Sequence, residues 1–473
     1  MDVDFCQLTA DGLHELYRAG SASPVEVMAA ILDRIEQLDP AVNAFCGIAS
    51  DALEMARASE ARWRSKRPLG PLDGVPISVK DNVAVAGLPT RYGSRATDDT
   101  PASDDSPCVA RLRESGALCF AKTTLPEFAH KIVTDSPLTG VTRNPWDTAR
   151  TSGGSSGGAA AAVALGMAPI AIGTDGGGSI RIPAAFTGTF GFKPSFGRVP
   201  HAPRGPFGLL SHVGPITRCV GDAARVLTVT SRPDSRDWYA LPFEPNDYEL
   251  GLTCKPTPSG IRIAHSPSLG LDVVPETDIL DAVTRAADAF RDIGAQICME
   301  DPPGVAQCNA VHSTLWPACC SQLVEDLVDG GAALDPSLRA YAEAGASISR
   351  QTLLGALVDR GELGAAINAF FERYDLVICP VYPRVAMRFA ELSARNTLFP
   401  HFTAWCNQLG LPAASIFAGL TSQGLPIGIQ IVGGRHADAF VLWASHRLEL
   451  ALGRAPTISL NHAAFASLPD KVL

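Results

Sequence analysis

The chain has 473 residues, 46% hydrophobic and 19% charged, which supplies a large buried core and excludes global disorder. A formal net charge of −10 argues against a nucleic-acid or anionic-membrane binder, since either needs a basic face. Twelve scattered cysteines form no CxxC pair, so zinc and redox motifs have no support, and the N-terminus MDVDFCQLTADGLHE lacks the basic and apolar regions of a signal peptide; a reducing cytoplasm is the expected compartment.

Residues 7–66 read as helices. Thr9 is placed to cap one that runs to Ala19, and Ser23 followed by Pro24 caps another with the apolar stripe Val27, Ile31 and Ile35. Residues 48–64 make a third, amphipathic helix, and RSKRPLGPLDG is a turn-rich connection. From Val75 the pattern changes. VPISV and ALCFA (117–121) are short apolar strands, and a small-residue helix over 157–166 precedes a strand over 169–173. GIRIAHS (260–266), YDLVICP (374–380), PAASIF (412–417) and IGIQIV (427–432) are further strands, with helical patterns at 276–293, 350–372 and 435–452. This alternation predicts an α/β fold with a mixed, largely parallel central sheet covered by helices. The Pro-, Asp- and Ser-rich segment 232–260 reads as a surface excursion. The uncharged stretch 152–174 has the length of a membrane span, but it opens with four Gly and three Ser and contains Pro169, so it reads as closely packed core.

The chemistry concentrates in TSGGSSGGAAAAVALGMAPIAIGTDGGGSIRIP, residues 151–183. Two Gly-flanked serines, Ser155 and Ser179, are separated by a helix that advances roughly 16 Å and a strand that returns roughly 17 Å. The lengths nearly cancel, so both serine loops reach one end of the sheet. Gly176-Gly177-Gly178-Ser179 offers successive unencumbered N–H donors next to a hydroxyl, as an oxyanion hole requires. A serine also needs a base. Lys80 ends the strand VPISVK, and strand alternation turns it away from Asp81 and onto the face of Ser78. To act, the lysine must be neutral. Its ordinary pKa of about 10.4 must fall toward about 7–8, a shift that burial can produce.

LDGVPISVKDN, RTSGGSSGGAAAAVALG and IGTDGGGSIRIPAAFTGTFGFKPSFGRV resemble the signature region of the amidase signature family. The resemblance is strong over 70–200, moderate over the N-terminal helices and 371–450, and weak over 203–370. It implies one amidase domain over residues 1–473: a helical segment (1–68), a catalytic core (70–200), a variable substrate-shaping region (203–370) and a C-terminal part of the α/β core (371–453). It also implies a Ser-Ser-Lys triad with Ser179 as nucleophile, Ser155 on a cis peptide as proton relay and Lys80 as general base. The oxyanion hole would be the N–H groups of Gly176, Gly177, Gly178 and Ser179. Ala129 in KTTLPEFAH would lie near the acyl pocket. Ser156, Asp175 and Arg181 are read as support around the serine loops. The chain departs from the common pattern at Gly176, where a larger residue is frequent, and at Ala159, frequently polar.

The implied reaction is hydrolysis of a small-molecule amide through an acyl-enzyme, with aryl esters and carbamates (urethanes) as further substrates. Neither cofactor nor metal is implied, and the resemblance allows a homodimer. Within the family the alternative is the glutaminase component of a tRNA-dependent amidotransferase. Outside it, GGSSGG opening a helix suits a phosphate-binding loop, although no Walker or dinucleotide frame is present. Gly153-Gly154-Ser155-Ser156-Gly157 also fits the G-x-S-x-G nucleophile elbow, but an elbow needs a strand just before it, and RNPWDTARTS is polar and broken by Pro145. Candidate pocket walls in the variable region are Phe207, Leu209, Trp316 and Phe370.

Overall fold

The computed structural model describes residues 3–253, 260–327, 334–392 and 399–458. Capping sets its N-terminal helices. The Thr9 side chain accepts from the Gly12 N–H, and Ser23 forms a reciprocal capping box with Glu26, so the helices run Ala10–Ala19 and Pro24–Val42. Asn43, in the left-handed conformation, ends the second and feeds a strand, Phe45–Ile48, which the sequence reading missed. The third helix therefore begins late, at Ala52–Arg64.

Eleven strands form one sheet: β1 (Phe45–Ile48), β2 (Pro76–Lys80), β3 (Leu118–Thr123), β4 (Ile170–Asp175), β5 (Phe190–Lys193), β6 (His212–Thr217), β7 (Arg262–His265), β8 (Gln296–Met299), β9 (Leu376–Pro380), β10 (Ala413–Leu420) and β11 (Pro426–Gly433). Their spatial order is β1-β3-β2-β4-β6-β5-β10-β11-β9-β7-β8. The sheet is mixed, as predicted, but its parallel character is confined to β3-β2-β4 and β9-β7-β8; the other six pairings are antiparallel. The reason lies in the connections. Parallel neighbours need a long crossover, as between β2 and β3, where the helix Pro107–Glu114 intervenes. β10 and β11 are instead joined by a tight turn closed by the Thr421 N–H on the Leu425 carbonyl. Strands β5, β6 and β8 carried no clear alternation and were not predicted.

Cores lie on both faces of the sheet. Ile77 and Val79 of β2 enter a large cluster with the helices Val220–Thr230, Thr277–Asp292 and Asp438–Leu452. Leu118 and Phe120 of β3 join the N-terminal helices in a second cluster. The uncharged stretch 152–174 divides into a loop, the buried helix Gly157–Ala164 and β4. Among the described residues, no helix is long and apolar enough to cross a membrane. In the segment 232–260, Trp238 is exposed, but the helix Tyr248–Thr253 docks through Tyr248 and Leu252; residues 254–259 lie outside the described residues. The helices Val305–Glu325 and Pro336–Ala346 form a hairpin that the sequence reading did not identify.

Candidate active site

Alternation along β2 places the lysine. With Ile77 and Val79 in the large core, Lys80 emerges on the opposite face and is fully buried. Asp81 turns away, as predicted, and pairs with Lys122 at 3.3 Å. Lys80 Nζ lies 2.7 Å from Ser155 Oγ, 2.9 Å from Ser156 Oγ and 2.9 Å from Thr174 Oγ1. Burial drives its pKa well below the ordinary lysine value; the Asp175 carboxylate opposes that shift without overcoming it. The lysine thus sits against hydroxyls, where its neutral form can accept a proton.

The first serine loop is fixed from below by Thr134, whose Oγ1 donates to the Gly153 carbonyl at 2.8 Å and accepts from the Gly157 N–H at 3.1 Å. A Cβ on Gly157 would lie 2.3 Å from that oxygen, so this contact requires glycine. The Gly154–Ser155 peptide is cis, as the resemblance implied. The strand Asp147–Thr151 does precede this loop, contrary to the sequence reading, but it lies outside the central sheet, pairing with Arg143–Asn144 in a separate ribbon and bridging Arg388 through Arg150. The two serine loops meet, as their lengths predicted: the Ser156 N–H donates to the Ser179 carbonyl at 3.1 Å, and Ser155 and Ser179 line one cavity. No hydrogen bond joins their two hydroxyls in this structure.

Asp175, at the end of β4, organises the second loop. Its carboxylate accepts from the Gly178 N–H at 2.7 Å, the Ile180 N–H at 3.1 Å, Asn407 Nδ2 at 2.9 Å and Arg181 at 2.9 and 3.0 Å. Burial alone would raise this carboxyl, but Arg181 more than offsets it and holds the pKa well below the usual range. One expectation needs correction here. The Gly178 N–H is taken by Asp175, so of the four N–H groups expected to hold an oxyanion only those of Gly176, Gly177 and Ser179 have no acceptor among the described residues. Gly178 has φ +135, and a Cβ there would lie 2.3 Å from Thr403 Oγ1, which donates to the Gly177 carbonyl at 2.5 Å. Arg181 continues to Gln430 Oε1 at 2.7 Å, Asn407 Oδ1 at 2.7 Å and the Thr403 carbonyl at 3.1 Å.

Sequence reasoning missed Thr174, Thr403, Asn407 and Gln430. Each is an uncharged polar residue and each is buried, but only Gln430, within IGIQIV, stands out inside an apolar run.

Two chambers meet at Ser179, Ala129 and Trp316. The smaller, about 130 Å³, is walled by Ile132, Gly177, His312, Pro317, Tyr341 and Phe399. The larger, about 180 Å³, holds Ser155, Thr174, Gly176, Asn82, Tyr92 and Phe207. Ala129 is therefore at the junction, on a loop where Phe128 and Ala129 both take left-handed φ values of 48° and 60°. Trp316 and Phe207 are walls, as predicted. Leu209 is instead exposed and Phe370 belongs to a separate core cluster, so neither lines a chamber. The cations at the rims are paired: Lys131 with Asp135 and Asp335, Arg204 with Asp237. The hairpin that supplies Trp316 and His312 is fastened to the 127–131 loop, where the Asp335 N–H donates to Glu127 and His130 Nε2 lies 2.6 Å from Ser337 Oγ. A wider groove of about 760 Å³ on the N-terminal helices contains neither serine. Among the described residues, no three His, Cys, Asp or Glu side chains are placed to share a metal ion.

A family model described as Amidase matches residues 26–442. The chain is 34% identical over 466 residues to an acylamidase from Rhodococcus erythropolis, covering 93% of this chain and 95% of that protein. It is 35% identical over 478 residues to the A component of the glutamyl-tRNA(Gln) amidotransferase of Moorella thermoacetica, covering 94% and 97%. Its structure is similar to that of a bacterial aryl acylamidase of the amidase signature family, with a TM-score of 0.86, 32% identity and coverage of 98% and 99%.

Proposed function

The chain belongs to the amidase signature family, enzymes that hydrolyse amides, and on that premise we propose that Ser179, Ser155 and Lys80 carry out the reaction as a triad. Ser179 Oγ attacks the amide carbonyl while Ser155 accepts its proton and passes its own to neutral Lys80. The oxyanion is held by the N–H groups of Gly176, Gly177 and Ser179. The carbon–nitrogen bond then breaks as Ser155 protonates the departing amine and regains a proton from Lys80. Water enters, and the same relay run again hydrolyses the acyl-enzyme. The observation that carries this reading is the 2.7 Å approach of a fully buried Lys80 Nζ to Ser155 Oγ.

Ser155 faces the larger chamber and not the smaller, so the leaving amine occupies the larger and the acyl group the smaller. Paired rim cations favour an uncharged, apolar acyl group over one with a carboxylate. Linear amides are the preferred substrates; aryl esters and carbamates present a similar carbonyl and are also cleaved. Similarity to an amidotransferase component supports a second reading, in which the chain is a glutaminase acting with partner proteins.

Two measurements on the purified single chain test this. A serine-directed fluorophosphonate is expected to label Ser179, and anilides of short acids are expected to turn over faster than glutamine. Turnover of glutamine alone would overturn the stand-alone reading; labelling elsewhere would remove the nucleophile.

A further inference from the structure

We propose that His312 is a specificity-determining residue, a reading that rests on the amidase assignment: its Nε2 donates a hydrogen bond to an acceptor oxygen on the acyl group, close to the scissile carbonyl. His312 stands on the helix Val305–Glu325 and is 4% exposed. Its ring is fixed on two sides, stacked on Trp316 at 5.2 Å and met edge-on by Phe399 at 5.7 Å. Gln408 Nε2 lies 3.1 Å from Nδ1; with this amide N–H as the donor, Nδ1 accepts and the ring proton is on Nε2.

Nε2 has no hydrogen-bond partner among the described residues, and it lies beside the oxyanion loop: a Cβ on Gly177 would be 3.3 Å from it. The other polar groups of the chamber wall are occupied. Lys131 holds Asp135 and Asp335, Ser313 donates to the Asn309 carbonyl, and both nitrogens of His130 have partners in the Glu127 carbonyl and Ser337. One directed donor therefore faces an apolar chamber next to the reacting carbon.

Burial lowers the imidazole pKa to about 4, so the ring is uncharged at neutral pH. A neutral donor suits an ether, hydroxyl or keto oxygen and gives a carboxylate no ion pair. The chamber is also small. A cavity of about 150 Å³ takes one benzene ring, so about 130 Å³ suits a short acyl chain or a single ring. The substrate class is thus a short, uncharged acyl group bearing an oxygen near its carbonyl.

Methoxyacetanilide and butyranilide isolate this contact, since their acyl chains are equal in length and differ by one oxygen for one methylene. The wild-type ratio of their kcat/KM values contains both intrinsic reactivity and the contact; the change in that ratio on mutation isolates the contact. His312→Phe is expected to lower the methoxyacetyl-to-butyryl ratio about three- to tenfold, the range one neutral hydrogen bond supplies. His312→Gln, which returns a donor, is expected to recover part of the ratio. Gln408→Leu, which releases the ring, is expected to shift it in the same direction as H312F, and it carries the test if H312F does not fold. An unchanged ratio in H312F, or in Q408L where H312F is unfolded, overturns the assignment of His312 while leaving the amidase reading intact. A wild-type enzyme that cleaves neither anilide overturns both.

Discussion

The Trp316 indole fills the space that a side chain on Gly176 would need: a Cβ there would lie 2.9 Å from Trp316 Cζ3. The indole cannot easily yield, because its Nε1 donates to the His130 carbonyl at 3.1 Å and its ring packs 4.6 Å from Phe207. Gly176 is therefore one half of a matched pair. The glycine makes room for the tryptophan that joins the two chambers.

Gly176→Ala is expected to displace Trp316 and lower kcat/KM about tenfold, in line with the roughly 1–3 kcal/mol that overpacking costs. Adding Trp316→Leu is expected to recover part of that loss, with a coupling of about 0.5–3 kcal/mol. Steady-state kinetics on the four proteins of the cycle check this. Strict additivity would show that the two positions do not share the space.

Lys80→Met and Ser179→Ala are each expected to reduce kcat by about 10⁴-fold or more with the fold retained, since members of such a unit fail together. Lys80→Arg is expected to fail equally, because a guanidinium stays protonated. The pH dependence follows from the lowered pKa of Lys80. Below that pKa the amine is charged and cannot accept a proton; above it the amine is neutral. Activity therefore rises with pH and reaches a plateau earlier than an ordinary lysine would give. A kcat/KM profile with an acidic optimum would contradict Lys80 as base.

Thr403→Val removes the hydroxyl that donates to the Gly177 carbonyl. The expected result is a three- to tenfold lower kcat with little change in KM, the scale of about 0.5–1.5 kcal/mol for one neutral hydrogen bond. Thr403→Ser is expected to restore the rate. A change confined to KM would place Thr403 in binding and not in shaping the oxyanion loop.

Arg181→Met leaves the Asp175 carboxylate buried without its cation. Such a break costs about 3–5 kcal/mol, read as a lower urea midpoint with an unchanged slope. The carboxylate of Asp175 would also titrate higher without Arg181. Its protonation would then relieve the unpaired buried charge, so the stability deficit of R181M relative to wild type is expected to narrow as pH falls through that raised pKa.

The side chains proposed to react are legible in the sequence because they sit in local patterns. Glycine runs flank Ser155 and Ser179, and period-two alternation through Ile77 and Val79 turns Lys80 to the opposite face from both. Their convergence followed from a helix and a strand of nearly equal length. What holds them was not legible. Thr403, Asn407 and Gln430 lie more than 220 positions from Ser179 and reach it only through tertiary packing, which leaves no periodic trace. The loss of Gly178 from the oxyanion cradle was hidden for a related reason. A glycine run shows that N–H groups are unencumbered, but not that a neighbouring carboxylate claims one of them. The sheet was read as more parallel than it is partly because β5 and β6, with Gly191, Gly214 and Pro215 inside them, lack clear strand signatures, and they make three of the six antiparallel pairings.

The hairpin of Val305–Glu325 and Pro336–Ala346 borders the reacting groups through Trp316 and His312 and is pinned to the 127–131 loop by Glu127, His130 and Lys131. None of the three side chains proposed to handle protons belongs to it. Most of its surface can therefore vary without touching Lys80, Ser155 or Ser179, and a change reaches back to the second serine loop only where Trp316 meets Gly176 and His312 meets Gly177.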